Sequence, residues 1–169
     1  AYMLALADGP AIDDDRRYAA SLIAQILGGA DNSRLHWALI ETGTAEEAQA
    51  SFDPHDGFGQ FFVYASGEPD RAEDIWSIIE REIAGLADSL EQSDLDKLKA
   101  KYATGLTVGG ERPGDRMQRL GRLWTYTGEH VPLEDDLTKI QAVTLDDVRS
   151  ILADFPFAPR TTGFMLPAS

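Results

Sequence analysis

The hydrophobic positions of this chain predict strands at some places and amphipathic helices at others. An apolar run at residues 2–8 is typical of a buried strand. Over residues 13–29 apolar side chains recur at helical spacing behind a group of acids. We therefore predict a helix with an acidic first turn that ends at Gly28 or Gly29. A second helix is predicted for residues 32–41, because polar residues suited to an N-cap precede its apolar repeat.

The middle of the chain predicts a β-hairpin. Residues 47–53 alternate weakly between apolar and polar positions, and residues 59–66 are rich in aromatic and β-branched side chains. Pro54 and Gly57 lie between the two segments, where a turn is expected.

Helical spacing dominates the second half of the chain. Helices are predicted over residues 69–90, 94–108, 113–127, 133–142 and 145–153, followed by a strand over 161–167. Two sequences are spaced as capping boxes, Ser93 with Asp96 and Thr144 with Asp147. The pair Gly109-Gly110 is expected to end the helix that contains it.

This order of elements predicts the fold class. Strands and helices do not alternate regularly, which favours an α+β fold with an antiparallel or mixed sheet of about four strands, covered on one face by helices. A length of 169 residues is that of a single domain. Trp37, Trp76 and Trp124 fall on apolar helical stripes, so we predict that they pack in the core.

Charge and composition narrow the classes of function. The chain has 15 basic and 29 acidic residues, and its net charge of −14 disfavours binding to nucleic acid or anionic membranes. No apolar run approaches the roughly 18 residues of a membrane span, so membrane insertion is not expected. The composition is that of a soluble domain without a targeting segment, and it assigns no compartment. The lack of cysteine excludes thiolate metal sites and thiol nucleophiles.

The usual catalytic and cofactor motifs are not found in the sequence. Gly28-Gly29 follows a helix rather than a strand, so we interpret it as an interhelical turn and not as a phosphate-binding loop. No two of His36, His55 and His130 share a helical face, and neither H-E-x-x-H nor H-x-x-E-H occurs. We therefore expect no metal in this chain. His55 lies between two aspartates, where an exposed polar turn is favoured over an adventitious cation site.

One helix concentrates positive charge. Its arginines are spaced by four, three and three residues and so lie near one face: Arg112, Arg116, Arg119 and Arg122. One interpretation is a patch for an anion, a peptide carboxylate or a partner. The favoured interpretation is a solvated face whose arginines pair with the surplus acids.

Several short motifs follow one another in an order that resembles a known family. They are Leu27-Gly28-Gly29, Ser33-Arg34-Leu35, residues 61–75, 93–102, 116–122 and 142–152. Together they resemble the C-terminal half-domain of the zinc metallopeptidases related to insulinase, pitrilysin and mitochondrial processing peptidase. The resemblance extends over about residues 2–166, nearly the whole chain.

The resemblance implies a non-catalytic half of a zinc peptidase. In such proteins the zinc, its ligands and the catalytic base belong to the N-terminal half, where zinc-bound water attacks the peptide carbonyl. This chain would then hold no cofactor and would form the wall or lid of a peptide-binding chamber. Its partners would be a peptide substrate and the N-terminal half of a longer polypeptide, or a homologous subunit.

Two positions depart from the family pattern. Catalytic members carry an arginine late in the second helix of this half and a tyrosine seven residues later, both of which reach substrate. These places fall here at Ile40 and Glu47, or at Glu46 if the loop is one residue shorter. One alternative is therefore a catalytically inactive homologue that serves as a structural or binding subunit. An unrelated α+β ligand-binding domain is the other alternative.

Overall fold

A computed structural model describes residues 1–158 and 160–168, which contain one antiparallel sheet of four strands. The strands are β1 (Tyr2–Gly9), β2 (Glu47–Pro54), β3 (Gly59–Ser66) and β4 (Arg160–Met165), in the spatial order β2-β3-β1-β4. The predicted hairpin is confirmed as β2 and β3, with Glu47 opposite Ser66. The first strand of the chain is central, because β1 pairs with both β3 and β4.

Helices pack on one face of this sheet. The α-helices are α1 (Arg17–Gly28), α2 (Ala72–Ala84), α3 (Leu86–Ser89), α4 (Gln92–Glu111), α5 (Pro113–Thr127), α6 (Leu133–Ala142) and α7 (Leu145–Asp154). A π-helical turn (His36–Ile40) stands where the second helix is predicted, and a 3-10 turn (Pro69–Arg71) precedes α2.

The core lies between the sheet and α1. On β1, Met3 and Ala5 are buried, and on β3, Phe61 and Val63 are buried, while the residues between them are more exposed. α1 packs against this face with Leu22, Ile23 and Leu27, each fully buried. Alternate strand residues therefore point to opposite faces, as the pleat requires. The predicted α+β class, with helices on one face of the sheet, is confirmed.

The first helix is shorter than predicted. α1 begins at Arg17, so the acids expected in its first turn lie in the turn before it. There the Asp14 carboxylate accepts a hydrogen bond from the Arg16 backbone N–H at 2.8 Å. The side-chain hydrogen bond from Arg16 lowers the pKa of Asp14. The C-terminal boundary is as predicted, since the Gly29 N–H donates to the Gln25 carbonyl at 3.0 Å.

The helix predicted over residues 69–90 is divided. It begins as the 3-10 turn and breaks at Gly85, where α2 ends and the short α3 follows. The apolar repeat continues across the break, with Ile83 and Leu86 both buried, so the repeat alone could not reveal it.

Two predicted boundaries of the next helix are wrong. α4 already includes Ser93, so Ser93 does not cap it. Gly109-Gly110 does not end the helix but lies within its last turn. The helix stops at Arg112, whose backbone is extended with a ψ of 122°. Arg112 precedes Pro113, and a proline disfavours helical backbone in the residue before it.

The capping box at α7 is confirmed. The Thr144 hydroxyl accepts a bond from the Asp147 N–H at 3.2 Å, and the Asp147 carboxylate accepts one from the Thr144 N–H at 2.8 Å.

Replacing Thr144 with alanine should therefore lower the free energy of unfolding by about 1 kcal/mol, the usual value of an N-cap. Chemical denaturation measures the change. Thr138→Ala is the matched control, because Thr138 is exposed on α6 and its hydroxyl donates to the Glu134 carbonyl one turn before it, the one bond it makes within the described residues. An equal loss in both variants would contradict the assignment of Thr144 as the cap.

Candidate functional site

The face of the sheet that points away from the helices is exposed. Tyr2 is 52% exposed and Met165 64% exposed, although both lie on paired strands. By strand register, this open face consists of Tyr2, Leu4, Leu6 and Asp8 on β1; Glu47, Gln49, Ser51 and Asp53 on β2; Gln60, Phe62 and Tyr64 on β3; and Thr161, Gly163 and Met165 on β4.

The open face has an apolar centre and an acidic margin. On its two central strands, β1 and β3, the rings of Tyr2 and Tyr64 stack with 6.5 Å between their centroids. Its charged members are Asp8, Glu47 and Asp53. Asp53 pairs with Arg122 of α5 at 2.5 Å, so the negative charge offered to a ligand comes from Asp8 and Glu47. An extended segment with apolar and basic side chains would complement such a surface.

The predicted substrate-facing positions are divided between two places. Glu47 begins β2 on the open face, in the row that also contains Tyr2. Glu46 is exposed beside it, and its N–H donates to the Ser66 carbonyl at 2.9 Å. Ile40 ends the π-helical turn and packs half-buried against the core, away from the open face. Contact with a substrate stays a prediction for all three.

Gly28 lies where α1 crosses the hairpin. A Cβ atom at this position would lie 2.6 Å from the Gln49 carbonyl carbon and closer still to the Ala50 backbone nitrogen. Only glycine allows the end of α1 to approach β2 this closely. Ser33 begins the next element, since its buried hydroxyl accepts a bond from the His36 N–H at 3.3 Å.

Arg34 connects this turn to the break between α2 and α3. Its Nε donates to Glu82 at 2.9 Å and its Nη1 donates to the Gly85 carbonyl at 3.1 Å. It also bonds to the Ser89 hydroxyl. The Gly85 carbonyl also accepts a bond from the Ser89 hydroxyl at 2.7 Å, so Arg34 and Ser89 meet at the helix break. The sequence motif around Gly28 and Arg34 therefore has structural contacts throughout.

Three of the four arginines predicted to share a face contact carboxylates. Arg119 bonds to Asp136, Arg122 bonds to Asp53 at 2.5 Å, and Arg112 lies 3.8 Å from Asp115. Arg116 has no carboxylate within 4.0 Å among the residues that the structure describes. Whether these arginines form an anion or partner patch stays a prediction.

Asp136 is the centre of a polar network that the sequence did not predict. It is 8% exposed and accepts hydrogen bonds from the Tyr18 hydroxyl at 2.5 Å and from Arg119 Nε at 3.1 Å. Arg17 donates to the Tyr18 oxygen at 2.8 Å. Burial raises the pKa of Tyr18, and the hydrogen bond to Asp136 raises it further. Because 118 residues separate Tyr18 from Asp136, no local spacing reveals the pair.

A cavity of about 940 Å³ lies beside this network. Its walls come from α1, α4, α5 and the start of α6, on the helical side of the sheet. We call this cavity the slot. Its size falls in the range of small-molecule and peptide pockets.

The histidines do not assemble a metal site. His36 Nε2 lies 3.1 Å from Glu41, and His55 Nε2 lies 3.3 Å from Asp53. His55 also stacks on Phe58 in the hairpin turn. Among residues 1–158 and 160–168, no three histidine, aspartate or glutamate side chains are grouped so as to hold a metal ion.

Two of the three tryptophans are not core residues. Trp37 is 56% exposed and Trp124 is 63% exposed, so the prediction that they pack in the core is wrong. Trp76 is partly buried and packs edge-on against Phe164. Helical spacing placed these rings on apolar stripes, but no element of the described chain covers the stripe at Trp37 or Trp124.

Solved structures share this architecture. An inactive peptidase domain from Bordetella parapertussis superimposes with a TM-score of 0.83 at 19% identity, covering 99% of this chain and 90% of that one. The peptidase M16 inactive domain from Pseudomonas fluorescens gives a TM-score of 0.82 at 23% identity, covering 95% and 40%. The fold is thus that of the non-catalytic half-domain of M16 peptidases.

Sequence comparison gives the family. The profile of the peptidase M16 inactive domain matches residues 1–102, and the chain belongs to this family. A relative described as an uncharacterized zinc protease of Mycobacterium tuberculosis is 30% identical over 139 residues, 81% of this chain and 32% of the relative. The chain therefore spans about a third of the length of the curated relatives it matches. None of the helices in the described residues could cross a membrane.

Proposed function

We propose that this chain is the non-catalytic half of a zinc-dependent peptidase and that the open face forms a wall of its peptide-binding chamber. Family membership supports the first part, and the exposed apolar sheet face supports the second. Water and zinc chemistry would belong to a second half-domain, on the same polypeptide or on a homologous subunit. The residues of this chain would hold and orient an extended peptide.

The single observation that carries the proposal is the composition of the open face. Tyr2, Leu6 and Tyr64 lie at three successive cross-strand positions of the open face and offer apolar contact. Glu47 and Asp8 supply negative charge at its margin. Large exposed apolar patches on a protein surface mark binding sites. We therefore propose peptides with apolar and basic side chains as the substrate class.

Two substitutions on the open face should weaken peptide binding by the chain. The double variant Leu6→Ser, Tyr64→Ser removes apolar area that an extended peptide would bury, so we expect about a tenfold rise in Kd for a decapeptide of alternating lysine and leucine. Fluorescence anisotropy of the labelled peptide measures Kd. Met117→Ser is the matched control, because Met117 is exposed on α5, outside the open face.

The charge of the peptide gives a second test of the same proposal. A decapeptide of alternating glutamate and leucine should bind at least tenfold more weakly, since it meets the acidic margin with like charge. Amide shifts in NMR spectra should map to β1 and β3. Shifts confined to the helices, or an equal effect of Met117→Ser, would refute the assignment of the open face as the peptide-binding wall.

An inactive subunit is the second candidate function. The observation that favours it is the pair Ile40 and Glu47, which stand where active members are expected to carry arginine and tyrosine. Peptide hydrolysis by the full-length protein separates the candidates. Turnover that is lost on zinc removal supports the peptidase, whereas peptide binding without turnover supports the inactive subunit.

A further inference from the structure

The helix α5 has little apolar attachment to the rest of the fold. Only Leu123 of its fifteen residues is buried, whereas nine of the twelve residues of α1 are buried. Met117 and Trp124 on α5 are 68% and 63% exposed. Because helices in proteins are stabilised mainly by burying an apolar face, α5 lacks most of the stabilisation that fixes α1.

Two arginines tie α5 to other elements. Arg119 Nε donates to Asp136 on α6 at 3.1 Å. Arg122 Nη2 donates to the Asp53 carboxylate at 2.5 Å and to the Pro54 carbonyl at 2.6 Å, at the end of β2. The Arg122 and Asp53 side chains are 44% and 55% exposed, so water and salt screen this pair. The connection between α5 and the sheet is therefore weak and polar.

Glycines lower the helical stability of this part of the chain. Gly109 lies in α4, and Gly114 and Gly121 lie in α5. A Cβ at any of the three would meet nothing within 4 Å. Glycine disfavours helical backbone more than any other residue except proline. Since alanine would fit at each position, close packing does not account for these glycines.

α5 covers part of the slot instead of a packed core. Leu120 and Leu123 line the slot from α5, while Leu106 on α4 and Ile140 on α6 also line it. The inner side of α5 thus borders a cavity of about 940 Å³. Side chains that border a cavity lose the dispersion contacts that a filled core would supply.

We propose that α5 is a lid over the slot and that it opens by local unfolding while the sheet and α1 stay folded. Isolated helices of up to about 15 residues are marginal in water, so α5 would melt once released rather than move as a rigid rod. The open state would expose the walls of the slot at Leu106 and Ile140. Segments that order and disorder in this way can gate a site. The lid lies on the helical side of the sheet and is independent of the open face.

Native-state hydrogen exchange of the full chain, followed by NMR, tests the lid. After correction for intrinsic rates, amides of α5 should exchange at least about a hundredfold faster than those of α1, because they require only local opening. Equal protection of the two helices would overturn the proposal, since α5 would then open only when the whole chain unfolds.

Two variants separate local from global opening. Arg122→Gln removes one tie of the lid and should speed exchange in α5 about fivefold. Thr144→Ala is the matched control, because it weakens the cap of α7, which stays folded when the lid opens. It should speed exchange in α1 but not in α5. Faster exchange of α5 in Thr144→Ala would overturn the lid, because α5 would then share the global unfolding.

Two more variants test what sets the opening. Gly121→Ala should slow exchange in α5 about fivefold, by the difference in helix propensity between the two residues. Arg149→Gln is the charge-matched control for Arg122, because Arg149 is exposed on α7 and pairs with Asp146 at 3.2 Å. It should leave α5 unchanged. Unslowed exchange in Gly121→Ala, or equal effects of Arg149→Gln and Arg122→Gln, would contradict the proposal.

Salt gives a separate test of the tie at Arg122. Raising sodium chloride from about 0.05 to about 1 M should speed exchange in α5 more in the wild type than in Arg122→Gln, since screening weakens a pair that the variant lacks. The same acceleration in both proteins would refute the role of Arg122.

A single thiol in the slot tests whether α5 gates it. The chain has no cysteine, and Ile140 is 1% exposed in the wall of the slot, so Ile140→Cys introduces one buried thiol. Its reaction with iodoacetamide should be about fivefold faster when Arg122→Gln is added and unchanged when Thr144→Ala is added. Circular dichroism confirms that the variants are folded. A reaction rate that does not respond to Arg122→Gln would show that α5 is not the lid of the slot.

Discussion

Replacing Gly28 with alanine is expected to destabilise the chain by about 3 kcal/mol, at the upper end of the usual cost of overpacking. The added methyl would collide with backbone atoms of Gln49 and Ala50 rather than with a side chain that can rotate away. β2 cannot retreat easily, because it is hydrogen-bonded to β3 along its length. The end of α1 would have to move out of the core instead. Chemical denaturation followed by circular dichroism measures the loss.

The matched control for Gly28 is Gly105 in the interior of α4. A Cβ at Gly105 meets nothing within 4 Å, so Gly105→Ala should stabilise the chain by up to about 1 kcal/mol through helix propensity alone. Replacing glycine with alanine is thus expected to lower the stability of the chain at Gly28 and to raise it at Gly105. A gain in stability at Gly28 would show that α1 does not approach β2 as closely as described.

Asp136→Ala should lower the free energy of unfolding by about 3 kcal/mol, the lower end of the cost of removing one partner from a buried ion pair. Asp136 accepts bonds from Tyr18 and Arg119, and its loss leaves both donors in a largely buried place. The Arg119 side chain is 20% exposed, so water cannot fully replace the carboxylate.

Asp135→Ala is the control for Asp136. Both acids lie in the first turn of α6 and interact alike with the helix dipole, but Asp135 is exposed. Asp135→Ala should lower the free energy of unfolding by no more than about 1 kcal/mol. The free energy of unfolding of Asp136→Asn should lie between those of Asp136→Ala and Asp135→Ala, because asparagine keeps an acceptor for Tyr18 but loses the charge. Equal losses at Asp135 and Asp136 would rule out a buried network.

Local sequence was enough to predict the sheet and most helices. The aromatic and β-branched run at residues 59–66 and the turn at Gly57 predicted the hairpin, because both signals act over a few residues. The capping box at Thr144 was recognisable for the same reason. Glu47 was singled out by family resemblance, and only the strand register then placed it on the open face.

Contacts between distant segments were not predictable in this way. The sequence identified Gly28 as the end of a helix, but its contact with Ala50 depends on how α1 crosses β2. Arg34 was recognised as part of a motif, although its partners lie about 50 residues away, at Glu82 and Gly85. Of the four arginines predicted to share a helical face, Arg112 lies before α5 with extended backbone rather than on the helix. Their partners, and the slot between α5 and α1, depend on packing that no helical repeat encodes.

The central position of β1 has a consequence for folding. β1 precedes its partner β4 by most of the sequence, since Tyr2 pairs opposite Met165. Such pairing raises contact order, which slows folding. Until β4 docks, one backbone edge of β1 is open to pairing with other chains. Truncation before Arg160 would therefore be expected to promote aggregation during synthesis, even though the helices and the hairpin could already form.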